Sequence, residues 1–344
     1  MTRVAVVRAL HLGDLLCAVP ALRALRRRYP LAHVTLIGLP WARELTVHLS
    51  RYVDAFAEFP GYPGIPERDL DSTRLVRFLR MMRDSRLDLA VQLHGSGSYI
   101  NEFVAQLGAA RLVAFHERPG QSFDEATFVE WPRTGTEIDR LLTLPRALGW
   151  PESGDTLELD VRDVDRSDAH AALDGIGGRP YACLHPGARF DTRRWGADHF
   201  AAIGDALAER GFAIALTGTE AERPVTSAVR NRMRMPVIDL TGALRLGSFA
   251  ALIAEASLVV CNDTGTSHVA AAMGTKSVVI ACGSDVSRWS PHDTARHRVI
   301  WHDVPCRPCM HMRCPTAHEC ASGVVTNDVL SAIDDLIAGA PSHA

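Results

Sequence analysis

LVVCNDTGTSHVAAAMG (Leu258–Gly274) is the stretch that decides the fold. Its apolar run Leu258–Cys261 stops at the polar turn Asn262-Asp263-Thr264-Gly265, and small residues then open a helix with His268 on its first turn. Strand, tight turn and helix N-terminus follow in that order. Such a helix start offers unpaired backbone N–H groups and the positive end of the helix dipole, which suit a diphosphate, and Gly265 allows a ligand close to the backbone. The same residues also make an ordinary strand-to-helix connection in which Asp263 caps the helix.

A second element of this kind opens the chain. RVAVVRALHLGDLLCAVPALRALRRRYP (Arg3–Pro30) begins with the strand-like Arg3–Ala9 and breaks at His11-Leu12-Gly13-Asp14. A helical pattern follows, with Leu15, Leu16, Val19, Leu22 and Leu25 on one face and Arg23, Arg26, Arg27 and Arg28 elsewhere. Gly13 permits an unusual backbone angle or a close approach, and Asp14 stands where strand hands over to helix. In open α/β sheets, ligands bind at the carboxyl ends of the strands. Asp14 is therefore either a helix cap or a catalytic carboxylate.

Between and beyond these two units, strand-like and helix-like runs alternate. The first half carries strands at His33–Leu39, Asp54–Phe59, Leu87–His94 and Arg111–Phe115, with helices near Trp41–Leu49, Asp69–Asp84 and Thr136–Leu148. Pro151–Arg179 is polar and glycine-rich and reads as an interdomain connection. The second half repeats the rhythm from YACLHPG through LVVCNDTG, and TNDVLSAIDDLI forms a terminal helix. Strands alternating with helices imply parallel sheets with right-handed crossovers. The expected fold class is α/β, with two Rossmann-like domains facing across a cleft. The expected domains are residues 1–155 and 175–325, with residues 326–344 packing back on the first. At roughly 150 residues per domain, 344 residues suit two.

Composition narrows the function. The formal net charge is −3, so nucleic acid is not the expected partner. Lys276 is the only lysine, so the cationic charge is almost all arginine. No stretch reaches the ~18 apolar residues of a membrane span, and Met1 leads directly into a strand, so a cytoplasmic location is expected. Neither half holds a dinucleotide G-x-G-x-x-G or a P-loop lysine motif, which removes the main support for a dehydrogenase or a P-loop ATPase.

Taken together, the motifs resemble those of the bacterial ADP-heptose:lipopolysaccharide heptosyltransferases, glycosyltransferase family 9. The resemblance rests on Gly13-Asp14 with Pro20-Ala21-Leu22 six residues on, His185-Pro186-Gly187 after a strand, the basic pair Arg193-Arg194 before Trp195, and Asp263-Thr264-Gly265 with His268 before a small-residue helix. It spans nearly the whole chain and implies the two-domain GT-B fold and inverting transfer of a heptose from ADP-heptose to a sugar hydroxyl of the lipopolysaccharide core. Asp14 is then the general base, a role worth roughly 10²–10⁴-fold. The nucleotide-sugar would bind the second domain, with Thr264 and Gly265 on the diphosphate, and Asp263 and His268 orienting the loop or touching the sugar phosphate. His185 and Gly13 belong to the matched motifs.

Stabilising the developing charge calls for a cation. The family commonly has a lysine two residues before the tryptophan; here Arg193 stands there, a different fork with a different reach. Arg194 is either a second phosphate ligand or a surface charge. Glu220 or Glu222 would take the ribose hydroxyls, with a capping role for Glu220 equally in play, and Leu244 lies where the family packs an apolar side chain on adenine. The acceptor, an anionic core glycan, would meet Arg43, Arg118 and the loop from His94 to Ser98. Arg26-Arg27-Arg28 could touch an anionic membrane leaflet at about 1 kcal/mol per basic residue. No cofactor is required for this chemistry.

Four of the eight cysteines, Cys17, Cys183, Cys261 and Cys282, read as small buried apolar residues. The others, Cys306, Cys309, Cys314 and Cys320, form a dense loop with His311 and His318 among them. Four thiolates could close a structural zinc site, and reduced or oxidised structural cysteines are the alternative. A UDP-sugar 2-epimerase, which shares the two-domain architecture, and a non-catalytic scaffold remain as other classes. Product formed without acceptor would mark the former, and absence of acceptor-dependent ADP release the latter.

Overall fold

The computed structural model describes residues 1–117, 126–152 and 154–338. The chain divides into two units, Met1–Thr156 and Leu157–Ala344. In the first, strands β1 (Arg3–Val7), β2 (His33–Gly38), β3 (Ala55–Glu58), β4 (Leu89–Gln92), β5 (Leu112–His116) and β6 (Ala126–Glu130) make one sheet in the order β3-β2-β1-β4-β5-β6. In the second, β7 (Tyr181–His185), β8 (Ala213–Leu216), β9 (Ile238–Asp239), β10 (Leu258–Asn262), β11 (Ser277–Ile280) and β12 (His297–Ile300) make the order β12-β11-β10-β7-β8-β9. Every pairing is parallel. Numbered within its own unit, each sheet has the order 3-2-1-4-5-6 of a doubly wound fold.

The apolar runs explain why these segments are strands. Val4–Val7, Leu89–Gln92, Tyr181–His185 and Leu258–Asn262 are buried throughout, because helices cover both faces of a parallel sheet. The edge strands β3, β9 and β12 are only partly buried. Phe103 anchors the first core, with Phe59, Tyr62 and Phe78 around it at ring separations of 5.1, 5.5 and 5.9 Å. Trp195, Phe200 and Ile203 lie in the second core with Val260 and Val278 of the sheet.

Three expectations change. β6 is a sixth strand of the first sheet beyond Arg111–Phe115; its register on β5 runs from Leu112–Ala126 to His116–Glu130. The polar Pro151–Arg179 stretch is not a bare connection. It contains a helix, Asp163–Ala172, which packs on the helix Leu246–Glu255, with His170 Nε2 2.7 Å from Glu255 and Arg245 2.6 Å from Asp168. The last helix, Thr326–Ala338, was expected on the first domain. Instead its Val329, Ile333 and Leu336 are buried in the second unit's core, and Lys276 Nζ donates to the Leu336 carbonyl at 2.6 Å.

Candidate active site

Doubly wound sheets leave a crevice where the strand order reverses, between β1 and β4 in the first unit and between β7 and β10 in the second. The motif residues collect at those points.

In the first unit β1 runs into the helix Leu12–Cys17. Asp14 is its third residue, and its Oδ2 accepts the His11 N–H at 3.2 Å, the return half of a capping box. Its Oδ1 lies 3.9 Å from Arg8 Nη2, with the side chain 21% exposed. The cap and the accessible carboxylate are thus one and the same residue. Gly13 is buried within the first turn and adopts no positive φ, so an unusual backbone angle is not what calls for a glycine here.

At the end of β4, His94 Nδ1 accepts the Ala9 N–H at 3.1 Å. With Nδ1 an acceptor, the neutral ring carries its proton on Nε2, where it is a donor. Desolvation, reinforced by the Arg8 cation against the opposing pull of Glu137, drives the His94 pKa down to about 3. Gln92 donates to the carbonyls of His94 (2.8 Å) and Gly95 (3.2 Å) and accepts from Phe115 N–H (3.1 Å), so a buried amide fixes this loop. Ser98 holds Glu117 at 2.6 Å. Arg43 lies over the Phe56 ring with its side chain 63% exposed. Arg118 lies outside the described residues. Of the basic run proposed for a membrane surface, Arg26 is committed to Asp54 at 2.6 Å and Arg27 to the Glu152 carbonyl, while Arg28 lies over the Tyr29 ring.

In the second unit β7 ends at His185-Pro186-Gly187. His185 Nδ1 lies 3.0 Å from Thr217 Oγ1, and its Nε2 is 3.9 Å from Glu222. Burial lowers its pKa, and Glu222 opposes the shift. A Cβ on Gly187 would overlap the Glu222 carboxylate, so this glycine is what admits Glu222 to the turn. The capping role falls to Glu222, which accepts from Thr219 N–H (2.8 Å) and Oγ1 (2.9 Å). Glu220 instead forks with Arg223 at 2.6 and 2.5 Å on the surface, and that guanidinium holds its carboxyl below the usual range. Leu244 is half-buried just before the helix Leu246–Glu255.

β10 ends at Asn262, fully buried. Its Oδ1 accepts Trp195 N–H at 3.0 Å, and its Nδ2 donates to the carbonyls of Pro186 (2.8 Å) and Gly187 (3.4 Å). One amide therefore ties three of the matched motifs together. Thr264 caps the helix Gly265–Met273, and Gly265, like Gly13, has no positive φ. Asp263 donates its N–H to Ile280 at 2.9 Å. His268 is buried on the first turns, its ring 6.1 Å from that of Trp289.

The two arginines separate cleanly. Arg194 gives Nε to the Ala188 carbonyl (2.9 Å) and Nη1 to Asp191 (2.5 Å). Arg193 gives Nη2 to the Cys309 carbonyl (3.2 Å), while its buried Nε has no hydrogen-bond partner among the described residues. Desolvation lowers the proton affinity of this guanidinium, and Asp263 acts in the other direction.

The cysteine loop grips the turn that carries Arg193. Thr192 donates to the His311 carbonyl (2.6 Å), Asp191 N–H to Met312 (3.1 Å), and Cys309 N–H to Gly283 (2.8 Å). Among the described residues no group of three or more His, Cys, Asp or Glu side chains is disposed to hold a metal ion. The physical reason is the division of the thiols. Cys309 and Cys320 are buried, Cys306 is exposed, and Cys314 pairs with Thr316, which lowers its pKa. Cys17, Cys183, Cys261 and Cys282 are buried as expected, and burial pushes Cys183 up to about 12.

Sequence reasoning overlooked Arg8, Glu137, Gln92 and Asn262. Each is a polar residue at an element's end or just beside it, where a surface or turn role is the ordinary reading.

The chain matches glycosyltransferase family 9 (heptosyltransferase) over residues 113–319, more than half its length. Lipopolysaccharide heptosyltransferase 2 of Salmonella typhimurium is 26% identical over 309 residues, 84% of this chain and 84% of that protein. A solved glycosyl transferase family 9 structure from Veillonella parvula superposes with TM-score 0.83 at 18% identity, covering 98% of both chains. The E. coli ADP-heptose lps heptosyltransferase II structure gives 0.78 at 19%, covering 98% of this chain and 99% of that one. These structural likenesses establish the α/β fold with its two parallel six-stranded sheets.

Proposed function

The chain belongs to glycosyltransferase family 9, and from that premise we propose that it transfers a heptose from ADP-heptose, with inversion, to a sugar hydroxyl of a lipopolysaccharide core. The observation that carries the reading is the unequal use of the two arginines. Arg194 is hydrogen-bonded to its own loop, whereas Arg193 keeps a desolvated Nε, unpartnered among the described residues, beside Asp263 at the start of the helix Gly265–Met273. A buried donor without a partner is costly, and a phosphate oxygen would satisfy it with a charge-assisted bond.

The chemistry then divides between the units. Asp14 takes the proton of the acceptor hydroxyl as its oxygen forms the new bond to the anomeric carbon. The bond from that carbon to the diphosphate breaks, and ADP leaves with the negative charge. Arg193 and the N–H groups of Thr264 and Gly265 meet that charge, which is larger in the transition state than in the bound donor. Glu222, fixed by Gly187 and Thr219, is better placed than Glu220 for the ribose hydroxyls. Leu244 would lie on adenine, and His268 and Asp263 would hold the loop. His94 Nε2–H and Arg43 would meet the anionic acceptor, and the transfer would take place in the cytoplasm, with peripheral contact at the inner face of the membrane as part of the same proposal.

The test is acceptor-dependent release of ADP from ADP-heptose by the purified chain. Heptose on the acceptor with inverted anomeric configuration supports the reading. An epimerised sugar formed without acceptor contradicts it. A thermal-shift series of nucleotide-sugars fixes the donor, since a ligand at 100 times its Kd adds about 2.7 kcal/mol of stability. Undiminished turnover in EDTA is expected.

A further inference from the structure

Arg8 is a fully buried arginine one residue beyond β1. Its Nε donates to the Asp14 main-chain carbonyl at 2.5 Å, its Nη1 to the Leu93 carbonyl, and its Nη2 to Glu137 Oε1 at 3.0 Å. Glu137, 1% exposed, opens the helix Glu137–Ala147. A guanidinium without solvent needs a counter-charge, and two carboxylates are within reach of the same nitrogen: Glu137 at 3.0 Å and Asp14 at 3.9 Å. Only the first makes a hydrogen bond.

That choice has a chemical consequence. A carboxylate locked in a charge-assisted pair with arginine is a poor base, because the cation stabilises its ionised form. Among the described residues, His11 stands on the same turn as Asp14, and His94 after β4 lies near the same Arg8 cation. Arg140, one turn along from Glu137, donates to the carbonyls of Gly135 and Arg133 at 3.0 Å each. The ring of His94 is neutral, its pKa driven down to about 3 chiefly by desolvation, and Arg8, 3.9 Å from the Asp14 carboxylate, is a cation within reach of the base.

We propose that Glu137 is a positioning residue for the transfer: by holding the Arg8 guanidinium it keeps that cation from closing on the Asp14 carboxylate and leaves Asp14 able to accept the acceptor's proton. The role rests on Asp14 being the base. Arg8 in turn fixes the Asp14 backbone through its main-chain carbonyl, so the cation supplies placement while its charge is neutralised elsewhere.

The experiment is the pH profile of kcat for Glu137→Gln beside wild type and Asp14→Asn. In Glu137→Gln the freed guanidinium swings its charge toward Asp14. The expected results are a kcat lower by about tenfold, a fraction of the base's total contribution, and an acid limb moved to lower pH by about one unit. Donor KM should stay within about twofold, and Glu137→Asp should recover part of kcat. A merely structural ion pair would lower the melting temperature and leave the acid limb where it is, and that result overturns the proposal. If Glu137→Gln does not fold, the variant to measure is Arg8→Leu/Glu137→Leu, since replacing a buried pair by apolar residues is often tolerated. With the cation gone its acid limb must lie at or above that of wild type, and a limb below wild type overturns the proposal. Asp14→Asn separates the two levels. If it is inactive while Glu137→Gln matches wild type, only the role of Glu137 falls. If it is active, the base assignment falls and this proposal with it.

Discussion

The two sheets share one strand order, and each ends its fourth strand in a buried primary amide, Gln92 on β4 and Asn262 on β10. Both amides clamp the loops at the reversal of strand order. What differs is the charge they frame. In the first unit a buried cation, Arg8, is neutralised by Glu137, and a carboxylate is left accessible at Asp14. In the second, a helix start and Arg193 present positive character, with the Arg193 Nε donor unused among the described residues. Equal scaffolds with opposite local charge suit opposite tasks, taking a proton in one and receiving a leaving diphosphate in the other.

The sharpest way to break that division is to exchange effects between the units. Asp14→Asn should lower kcat by about 100-fold or more while ADP affinity stays within about twofold, as measured by steady-state kinetics and calorimetric titration of ADP. A large loss of ADP affinity would mean that the first unit also carries the nucleotide. Arg193→Ala should show the reverse mixture, with ADP binding weakened by roughly tenfold and kcat reduced as well, in line with about 1.5–3 kcal/mol for a hydrogen bond to a charged group. Arg194→Ala should do less on both counts. If Arg194 proves the more damaging of the two, the assignment of the open cation is displaced by one residue.

Much of this frame was legible in the sequence because it is written in apolar runs and turns. Val4–Val7 and Leu258–Cys261 are buried on both sheet faces, and such strands announce themselves without alternation. The motif turns followed from the same runs. β6 escaped because ATFVE is short and follows no clear break. The helix Asp163–Ala172 escaped because it buries little beyond Asp165 and Ala169 and so has almost no apolar stripe. The site's electrostatics escaped for a different reason. Whether an arginine after a strand is solvated or buried depends on what lies above it, and Glu137 is 129 residues away from Arg8 in the chain. The choice between Glu220 and Glu222 likewise turned on Gly187, a contact across 35 positions of sequence that periodicity cannot carry.

The paired amides sharpen the comparison at a smaller scale. Asn262→Leu leaves Trp195 N–H and the Pro186 carbonyl without their partner, at about 1–3 kcal/mol per buried group. Both a lower melting temperature and weaker ADP binding are expected. Gln92→Leu should lower the melting temperature with ADP binding intact. Equal losses of ADP affinity would dissolve the distinction between the units. The cysteine loop belongs on the second unit's side of this test. Cys309→Ser, at a buried thiol packed on Gly283, should lower the melting temperature more than kcat, whereas Cys306→Ser at the surface should do little to either. About one metal ion per chain in untagged protein would contradict the free-thiol arrangement.

The smallest effect concerns the neutral imidazole of the first unit. His94 has its pKa driven from the ordinary 6.5 to about 3 in the folded chain. The unfolded chain therefore binds the extra proton first as pH falls. The His94 contribution to stability is complete above about pH 6.5 and is lost progressively as pH falls from there toward 3. His94→Gln keeps an acceptor for the Ala9 N–H but has no proton to take up. Near pH 7.5 the variant should melt at or slightly below wild type, since it loses some packing. As pH falls from 6.5 to 4.5 the difference should move steadily in the variant's favour. His185 and His297, whose pKa values are also lowered by burial, titrate in both proteins and cancel in the comparison. A difference in melting temperature that stays constant across that range would mean that His94 keeps its ordinary proton affinity, and the neutral donor at the first unit's switch point would be lost with it.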